Sequence, residues 1–481
     1  MCGIAGFCNF KEDFEENTDY WNFRLEKMRA VLAHRGNDAR GRYLKKHIGL
    51  SHSRLAIRDI LCGDQPMTRT HNGYDYTICY NGEIYNTDEL IPELSENGFV
   101  CSTTSDTEVI LYAYIHWGAD FVNRLNGIFA FAIWDTAKSR LLLYRDRVGV
   151  KPLFYAIRGD SLVFGSEPKA CFAHPAVKPE LDKQGLQELL AIGPAHTSGL
   201  SLFKDLFEVL PGHFMIYSRD GLHDETYWEL TSREHTESYR DTVAHTRFLV
   251  EDAIKRQMVS DVPVCTFLSG GIDSSIVTAI AANYMNTRGK TLNTFSFDFK
   301  DNDRYFKANA FQPERDLPYV NRMLEEYETA HSYLECDENS LFKALFAAVD
   351  AKDMPGMTDV DSSLLYFCSL VSRKNKVALT GECADEIFGG YPWFYRKELL
   401  ERYGFPWSSD VAPRLALLRD DVGLELDLSG YQAFRYEESR SKAPLLYGEA
   451  GEDESRRIIG YLNIKWFMQT LLDRMDRTSM Y

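Results

Sequence analysis

The hydrophobic pattern of this chain changes near residue 226, and that change limits the fold more than any other feature. Before it, short β-rich runs such as GIAGFC, YTICYNGEIYN and FAFAIWD are separated by turn residues. After it comes a charged, helix-like segment, and strands then alternate with helices as they do in parallel α/β sheets. We therefore predict an α+β domain of packed sheets over residues 1–226 and an α/β domain over residues 227–481.

Composition argues against several classes of partner. The chain has 71 acidic and 54 basic residues, and its formal net charge of −17 would repel nucleic acid and anionic membranes. Its ten cysteines are scattered without a CxxC pair, which indicates neither a zinc site nor a disulfide framework. The first residues of the sequence lack the basic start and apolar run typical of a signal peptide, and the sequence has no apolar run of about 18 residues or more. We therefore predict a soluble, cytoplasmic protein with small-molecule substrates, and the sequence leaves open whether it forms a homodimer.

Cys2 follows the initiator methionine, so removal of Met1 would give the chain an amino-terminal cysteine. Such a residue can use its own α-amine, whose pKa is about 8, as the base that activates its thiol. A cysteine near the start of a strand can also be a small buried hydrophobic residue. Both interpretations stay open on these residues alone.

The motif YNGEIYN offers an oxyanion hole for such a nucleophile. Asn81 could donate from its side-chain amide and Gly82 from its backbone N–H to a developing oxyanion. An Asn-Gly pair between two β-rich runs also fits a two-residue hairpin turn. The pair by itself therefore favours the turn at least as strongly as the site.

The segment TTSDTEVILYAYIHWG predicts a helix with a candidate binding residue at its start. Ser105 precedes Glu108 by three residues, which is the spacing of a capping box, and Gly118 would end the helix. Asp106 would then lie in the first turn, where the helix dipole favours a carboxylate even without a ligand.

The run VPVCTFLSGGIDSSIV predicts a phosphate-binding loop between a strand at 262–268 and a helix that begins near Asp273. Glycines let backbone amides approach a phosphate, and the amino terminus of the helix adds positive potential. The loop lacks the lysine of GxxxxGK[ST], which argues against kinases and GTPases, and a plain glycine turn is the alternative. The runs TLNTFSFDF and KVALTGECADEIF also end in polar turns, and such strand ends converge on a ligand in a doubly wound sheet.

These motifs together resemble a known family. CGIAG, HRGND, SRLAI, YNGEIYN, TSDTE and RDRVGVKPLFY occur in the order found in class II glutamine amidotransferases. SGGIDSS and TGECADEIFGG are similar to the loops of PP-loop ATP pyrophosphatases, and the whole set most resembles the glutamine-hydrolysing asparagine synthetases. The resemblance implies an αββα sandwich of the Ntn hydrolase type, followed by a doubly wound parallel-sheet PP-loop domain.

The resemblance also implies the roles of individual residues. Cys2 would be the nucleophile, and Asn81 and Gly82 would bind the oxyanion. The implied glutamine-binding residues are Arg54, Leu55, Ile57, Asn81, Gly82, Glu83 and Asp106. The implied ATP-binding residues are Leu268, Ser269, Gly270, Gly271, Ile272, Asp273, Ser274, Ser275, Phe297, Thr380 and Gly381. Glu382 would lie beside an acyl-adenylate, and Asp273 and Asp385 would bind Mg²⁺.

The implied reaction is glutamine-dependent asparagine synthesis with ATP and Mg²⁺ as cofactors. Cys2 would hydrolyse glutamine to glutamate and ammonia, and ATP would adenylate the side-chain carboxylate of aspartate. Ammonia would then displace AMP to give asparagine, with release of pyrophosphate. Two alternatives are a related amidotransferase that amidates another carboxylate, on a cell-wall precursor or peptide, and a glutaminase or regulatory module with an inactive synthetase half.

The sequence departs from the family pattern at several positions. Asn37 stands where proline is usual, Cys383 where glycine is common, and Asp298 where glycine often follows the strand. The final run LLDRMDRTSMY resembles the start of a longer family segment, whose catalytic lysine would lie beyond Tyr481. We therefore expect the ATP domain to be truncated relative to the family.

Overall fold

The computed structural model describes residues 2–308, 314–408 and 410–481. Two compact units are defined by contacts within the chain. Unit 1 comprises Met1–Ser232, Gly389–Asp476 and Met480, and unit 2 comprises Arg233–Phe388, Arg477–Ser479 and Tyr481. The passage to unit 2 after Ser232 lies close to the change of pattern near residue 226. The return of the chain to unit 1 at Gly389 was not predicted.

Unit 1 begins with strands that form two six-stranded sheets and with five helices that accompany them. The strands are β1 Gly3–Asn9, β2 Ala39–Lys45, β3 Ile48–Arg54, β4 Met67–His71, β5 Tyr74–Ile84, β6 Gly127–Asp135, β7 Arg140–Arg145, β8 Phe154–Arg158, β9 Ser161–Gly165, β10 Phe207–Glu208, β11 His213–Ser218 and β12 Gly221–Thr226. The helices are α1 Thr18–Ala30, α2 Thr87–Glu96, α3 Asp106–Trp117, α4 Pro168–Phe172 and α5 Lys183–Gln187. Sheet A has the order β10-β8-β9-β1-β3-β2, and sheet B has the order β12-β11-β7-β6-β5-β4. All of these strand pairs are antiparallel.

The two sheets share a core, and helices cover their outer faces. In β1, Ile4 and Cys8 pack in one cluster with side chains of sheet B. Ala5 and Phe7 point to the opposite face and pack with side chains of α1 and α4. Helices α2 and α3 pack in the same way on sheet B. Because β1 is covered on both faces, all seven of its residues are buried, which explains the continuous apolar run GIAGFC.

Helix α3 confirms the predicted helix but corrects its cap. Ser105 is the N-cap, and its hydroxyl accepts a hydrogen bond from the Thr107 N–H. The Glu108 carboxylate does not return to Ser105 as a capping box requires, because it accepts hydrogen bonds from the backbone N–H groups of Ser102 and Thr103. Gly118 ends the helix with a positive φ of 74°.

Unit 2 contains a four-stranded parallel sheet. Its strands are β13 Val264–Phe267, β14 Leu292–Phe299, β15 Thr329–Cys336 and β16 Val377–Leu379. Its helices are α6 Tyr239–Arg256, α7 Ile272–Asn286, α8 Asn302–Tyr305, α9 Leu317–Glu326, α10 Glu338–Lys352, α11 Thr358–Val371 and α12 Ala384–Phe388. The strand order is β15-β14-β13-β16 with parallel pairing throughout.

Helices lie on both faces of this parallel sheet. In β13, Val264 packs with Ala281 and Ala282 of α7. Cys265, the next residue, packs with Phe367 and Val371 of α11 on the opposite face. The chain order of the strands reverses between β13 and β16, so the crevice at their carboxyl ends is a topological switch point.

The later helices of unit 1 explain why the chain returns to it. They are α13 Lys397–Leu400, α14 Ala412–Leu415, α15 Asp420–Leu426, α16 Leu428–Ser441, α17 Glu452–Leu462 and α18 Met468–Met480, of which α18 ends at the change of unit. Phe405, Leu462 and Trp466 bury their side chains against Ala191 and Ile192 in one core cluster. This shared burial holds residues 389–476 in unit 1, an attachment that no local sequence pattern announces. Among the described residues, no helix combines the length and apolarity needed to cross a membrane.

A buried ion cluster in unit 1 predicts how stability depends on pH. His196 and Arg145 both contact the Glu208 carboxylate, at 3.0 and 2.9 Å. Burial would lower the pKa of His196, but the charge of Glu208 raises it to about 9. The stabilisation from protonated His196 is therefore complete below its unfolded pKa of about 6.5 and is lost as pH rises through 9.

We expect the melting temperature to fall by on the order of 5 °C between pH 7 and 9.5 through this histidine. A His196→Gln variant should melt lower at pH 7 and lose most of that pH dependence, as measured by differential scanning calorimetry. His213→Gln removes a histidine from the more exposed pair with Asp224 and is the matched control. An unchanged pH profile in His196→Gln would contradict the assignment.

Candidate functional site

The first candidate site lies around Cys2, which directly precedes β1 in the middle of sheet A. Its thiol donates a hydrogen bond to the Leu55 carbonyl oxygen at 3.8 Å, and its side chain is partly buried. Burial raises the pKa of the thiol, while the charge of Arg54 lowers it and that of Asp106 raises it. The predicted nucleophile therefore lies near three predicted glutamine-binding residues, Arg54, Leu55 and Asp106. Met1 lies outside the described residues.

Arg35 holds the backbone of Cys2 in place. Its Nε donates to the Cys2 carbonyl oxygen at 3.1 Å. Its terminal nitrogens pair with Glu167 at 2.8 Å and with Asp476 at 2.6 Å, and all three side chains are fully buried. Lys151 adds a second ion pair to Asp476 at 2.8 Å. Arg35 belongs to the motif HRGND, but no pattern in the sequence predicted this contact.

Asn81 and Gly82 lie inside β5, so the hairpin-turn interpretation of this pair is wrong. Asn81 is completely buried, and neither its Nδ2 nor its Oδ1 has a hydrogen-bond partner. Such an orphaned amide is costly unless a ligand completes it. A Cβ on Gly82 would meet the Ile128 carbonyl oxygen and the ring of Tyr80, so only glycine fits there.

The edge of β5 is open where these two residues lie. Strand β4 pairs with β5 only as far as Ile78. The backbone N–H of Tyr80 points off this edge and donates to Oε1 of Gln65 at 2.6 Å. Because alternate residues of a strand direct their N–H groups to the same side, the N–H of Gly82 also points off the open edge.

Two carboxylates form the other part of the site. Oδ2 of Asp106 accepts hydrogen bonds from the Tyr80 hydroxyl at 2.8 Å and from the Ile84 N–H at 3.0 Å. Burial raises the pKa of Asp106, and burial together with the Asp106 charge raises the pKa of Glu83 well above its ordinary value. A cationic group bound between the two carboxylates would relieve this repulsion.

Arg58 is a charged neighbour of these carboxylates that the sequence did not single out. Its guanidinium donates to the Ile84 carbonyl oxygen at 2.9 Å and to the Thr87 hydroxyl at 3.2 Å. Its charge lowers the pKa of Asp106 and of Glu83, against the larger effect of burial. Its position four residues after Arg54, in the run SRLAIRD, was the available signal.

The guanidinium of Arg54 already has several partners within the protein. It donates to Oδ1 of Asp64 at 3.0 Å and to the backbone oxygens of Ile60 and Asp59 at 3.1 and 2.5 Å. These contacts fold the loop that follows it around the guanidinium. Ile57, two residues beyond the Leu55 carbonyl, is buried. A contact between Arg54 and the α-carboxylate of glutamine stays a prediction.

The second candidate site lies at the switch point of unit 2. The loop after β13 contains Leu268, which is buried, and Ser269, whose hydroxyl lies 3.0 Å from that of Ser274. Gly270 has a φ of +88°, a conformation that favours glycine. The backbone N–H of Gly271 donates to the Ser269 hydroxyl at 3.4 Å. The loop therefore has the glycine-rich turn at the start of a long helix that the sequence predicted.

Helix α7 begins at Ile272, one residue before the predicted start. Ile272 is exposed, and the N–H of Ser275 donates to the Gly271 carbonyl oxygen as the first helical hydrogen bond. Phe297, near the end of β14, packs on Phe367 with ring centroids 5.2 Å apart. The apolar surface predicted for an adenosine is thus at the same sheet edge as the loop.

The turn after β16 approaches the phosphate loop closely. A Cβ on Gly381 would meet Cβ of Asp273 and the backbone nitrogen of Ser274 at 2.8 Å. In the same turn, the Glu382 N–H donates to the Thr380 hydroxyl at 3.4 Å. The two predicted strand ends therefore converge.

Asp273 and Asp385 are brought together by this convergence. Burial raises the pKa of both carboxyls, and the charge of Asp385 raises that of Asp273 further. Two carboxylates that repel each other beside a phosphate loop fit a divalent cation, which prefers oxygen ligands. Within the described part of the chain, no group of three or more His, Cys, Asp or Glu side chains could hold a metal by itself. Phosphate oxygens and water would complete the coordination.

Two family departures have a visible structural setting. Cys383 adopts a φ of +71°, the conformation for which the family's glycine is suited. The Asp298 carboxylate accepts a hydrogen bond from Nδ2 of Asn302 at 2.7 Å and lies 3.7 Å from Arg315. Asp298 therefore orders the segment after β14.

Comparisons with known proteins identify the family of each part of the chain. The family described as glutamine amidotransferase domain matches residues 1–228, and the family described as asparagine synthase matches residues 245–481. An antiparallel amidotransferase domain followed by a parallel-sheet synthase domain defines the chain as a glutamine-dependent amidotransferase.

Individual relatives specify the family. The asparagine synthetase (glutamine-hydrolysing) 3 of Bacillus subtilis is 48% identical over 481 residues, which cover 100% of this chain and 77% of that protein. A putative asparagine synthetase (glutamine-hydrolysing) 2 of Methanocaldococcus jannaschii is 32% identical, with 81% of this chain and 76% of that protein covered. The amidase chyE of Penicillium rubens is 32% identical, with 86% and 62% covered. The chain belongs to the glutamine-hydrolysing asparagine synthetases, which are ATP-dependent ligases.

The contact at Gly381 yields a test of the second site. Gly381→Ala should displace the Asp273–Ser274 backbone and weaken ATP binding by roughly 10-fold or more, because overpacking a tight contact costs 1–3 kcal/mol. Isothermal titration calorimetry with ATP and Mg²⁺ measures the change. Gly460→Ala places its methyl group in open space on α17 and is the control. Equal ATP affinity in the two variants would contradict the assignment.

Proposed function

We propose that this chain uses glutamine and ATP to convert aspartate to asparagine. Residues 1–226 would form the glutaminase domain, an αββα sandwich of the Ntn hydrolase type, and residues 227–481 the doubly wound PP-loop ATP domain. The single observation that carries the glutaminase assignment is the buried, unpartnered amide of Asn81 at the open edge of β5. An oxyanion would supply the partner that this amide lacks.

The glutaminase step follows from an amino-terminal thiol. After removal of Met1, the α-amine of Cys2 would take the thiol proton, and the sulfur would attack the side-chain carbonyl carbon of glutamine. Asn81 and Gly82 would donate to the resulting oxyanion. The amine would then return the proton to the leaving nitrogen, releasing ammonia, and water would hydrolyse the thioester to glutamate. Arg35 would hold the Cys2 carbonyl in place throughout.

Glutamine recognition would use charges at the other end of the substrate. The α-ammonium would lie between Asp106 and Glu83, whose raised pKa values indicate a need for a cation. Arg54 would pair with the α-carboxylate, and its contacts to Asp64 and the loop backbone keep it in a fixed orientation. Leu55 and Ile57 would line the space between these charged groups.

The ATP step would take place at the switch point of unit 2. Residues 269–275 would bind the pyrophosphate portion, and Leu268, Phe297, Thr380 and Gly381 would contact the adenosine. The aspartate carboxylate would attack the α-phosphorus beside Glu382, giving an acyl-adenylate and pyrophosphate. Ammonia would then attack the acyl carbon and displace AMP.

Asp273 and Asp385 are the residues that would hold Mg²⁺. When bound there, the cation would neutralise charge on the departing pyrophosphate. Burial raises the pKa of both carboxyls, and the charge of Asp385 raises that of Asp273 further, which supports this role.

A different acceptor carboxylate is the second candidate. It is favoured by Cys383 and Asp298, which replace family glycines near the expected substrate position, and by the similarity to a relative named as an amidase. A panel of carboxylate acceptors, analysed by mass spectrometry of the amide product, separates the two. An amide formed on another acceptor and not on aspartate would contradict the asparagine proposal.

The cellular setting is also proposed. A cytoplasmic location would supply ATP and free amino acids, and a second copy of the chain is the only macromolecular partner proposed. The charge of −17 argues against nucleic acid and anionic membrane surfaces.

The Cys2→Ala variant tests the glutaminase proposal. Its rate of glutamine hydrolysis should fall by at least about 10³-fold, because alanine has no nucleophilic atom to form the thioester. Synthesis from ammonium chloride should remain at the wild-type rate. Glutamate, AMP and asparagine are quantified in the same samples, with Cys62→Ala, which removes an exposed thiol, as the control. Glutamate production that persists in Cys2→Ala would overturn the nucleophile.

Removal of Mg²⁺ tests whether the ATP step needs the cation and the glutaminase step does not. Chelation with EDTA should abolish AMP formation and leave glutamate formation unchanged, since only the ATP step uses the cation. Asp385→Asn should raise the Mg²⁺ concentration needed for half-maximal AMP formation by roughly 10-fold or more. Glutamate formation that falls in parallel with AMP would contradict this expectation.

A further inference from the structure

Tyr80 touches both ends of the proposed glutamine site. Its main chain directly precedes Asn81, and its side-chain hydroxyl donates to Oδ2 of Asp106 at 2.8 Å. Its main-chain N–H donates to Oε1 of Gln65, and its carbonyl oxygen lies 3.1 Å from Nε2 of His52. The side chain is only 2% exposed. Tyr80 is therefore fixed by its main chain and by its hydroxyl.

The main-chain contacts set the position of the oxyanion residues. Beyond Ile78 the outer edge of β5 has lost its pairing with β4. Gln65 and His52 replace that pairing at Tyr80, and this keeps the strand extended into Asn81 and Gly82. Gln65 also donates from Nε2 to the Thr107 hydroxyl at 3.2 Å, next to Asp106. The strand and the start of α3 are thus tied by two routes.

We propose that Tyr80 is a positioning residue that fixes the Asp106 carboxylate at a set distance from the oxyanion residues Asn81 and Gly82. The proposal rests on the proposed glutaminase function and concerns how that site selects an amide with an α-ammonium group. One residue would then set both the place of the scissile amide and the place of the charged amine. A substrate lacking the amine would gain nothing from this arrangement.

The chemistry of the contact supports a specific role for the hydroxyl. Oδ2 of Asp106 accepts hydrogen bonds from the Tyr80 hydroxyl and from the Ile84 N–H, and the Thr107 N–H is a further backbone donor to this carboxyl. Burial raises the pKa of Tyr80 well above its ordinary value, so the hydroxyl remains a donor at neutral pH. Without it, the buried carboxylate would keep only backbone donors, from Ile84 and Thr107, and would lose its one bond to the Tyr80 side chain. Hydrogen bonds to charged groups contribute more free energy than hydrogen bonds between neutral groups, so the loss of the bond from Tyr80 to Asp106 should be measurable.

The experiment compares Tyr80→Phe with a matched control in α3, the helix that begins with Asp106. Tyr114 of α3 also donates a buried hydroxyl hydrogen bond to an aspartate, Oδ2 of Asp135. Tyr114→Phe therefore removes the same kind of bond from the other end of α3. Both variants are assayed for hydrolysis of glutamine and of 4-carbamoylbutanoate, which is glutamine without its α-amino group.

For Tyr80→Phe we expect KM for glutamine to rise by roughly 10-fold or more, with kcat changed less than about threefold. Hydrolysis of 4-carbamoylbutanoate should stay within about twofold of wild type. Tyr114→Phe should leave the ratio of the two substrates unchanged. Calorimetric binding of both compounds in a Cys2→Ala background should show the same selective loss for glutamine, and it does not depend on turnover.

The outcomes separate this inference from the function on which it rests. Equal losses for both substrates, or an equal effect of Tyr114→Phe, would mean a structural role and would overturn the inference. If the wild-type chain hydrolyses glutamine and Tyr80→Phe has the same KM for glutamine, the inference is overturned but the proposed glutaminase function stands. A wild-type chain that neither binds nor hydrolyses glutamine would overturn the proposed function and the inference together.

Discussion

The guanidinium of Arg35 is the buried charge on which the arrangement of unit 1 depends. It contacts the carbonyl oxygen of Cys2 and is paired with Glu167 and Asp476. Burial would lower the pKa of Arg35, but the two carboxylates raise it instead. Replacing Arg35 by a neutral side chain would take the guanidinium from both buried carboxylates, at a cost of about 3–5 kcal/mol. Three distant stretches of chain are therefore held at one point, and one of them carries the proposed nucleophile.

The two candidate sites show two different physical signs that a ligand could bind there. Around Cys2, the sign is unsatisfied hydrogen-bonding groups: the side-chain amide of Asn81 has no hydrogen-bond partner, and the edge of β5 beyond Ile78 is not paired with β4. At the switch point of unit 2, the sign is crowding: Gly381 lies against Asp273 and Ser274, and the charge of Asp385 raises the pKa of Asp273. The first site has hydrogen-bond donors that an oxyanion could accept from. The second site has carboxylates whose charge a bound cation could neutralise.

Motifs with a local mechanism were predictable from the sequence, and contacts between distant segments were not. The phosphate loop, helix α7 and helix α3 follow from glycines, caps and periodicity, which act within about ten residues. The chain order that places β16 beside β13 has no such local cause, although the run KVALTGECADEIF indicated a strand end there. Arg58 and Arg35 were missed because a charged side chain near a motif gives no sign of which distant carboxylate it meets. The capping box failed for the same reason, since Glu108 found better donors in Ser102 and Thr103.

The attachment of residues 389–476 to unit 1 bears on how this protein can be divided or recombined. The asparagine synthase family matches residues 245–481, yet Phe405, Leu462 and Trp466 bury Ala191 and Ile192 of the other family's region. A fragment cut at the family boundary would expose that apolar cluster to water. Exchange of the synthase region between relatives would likewise require the two halves of this cluster to match in shape. The segment that the asparagine synthase family matches is therefore smaller than the segment that can fold with its apolar residues buried.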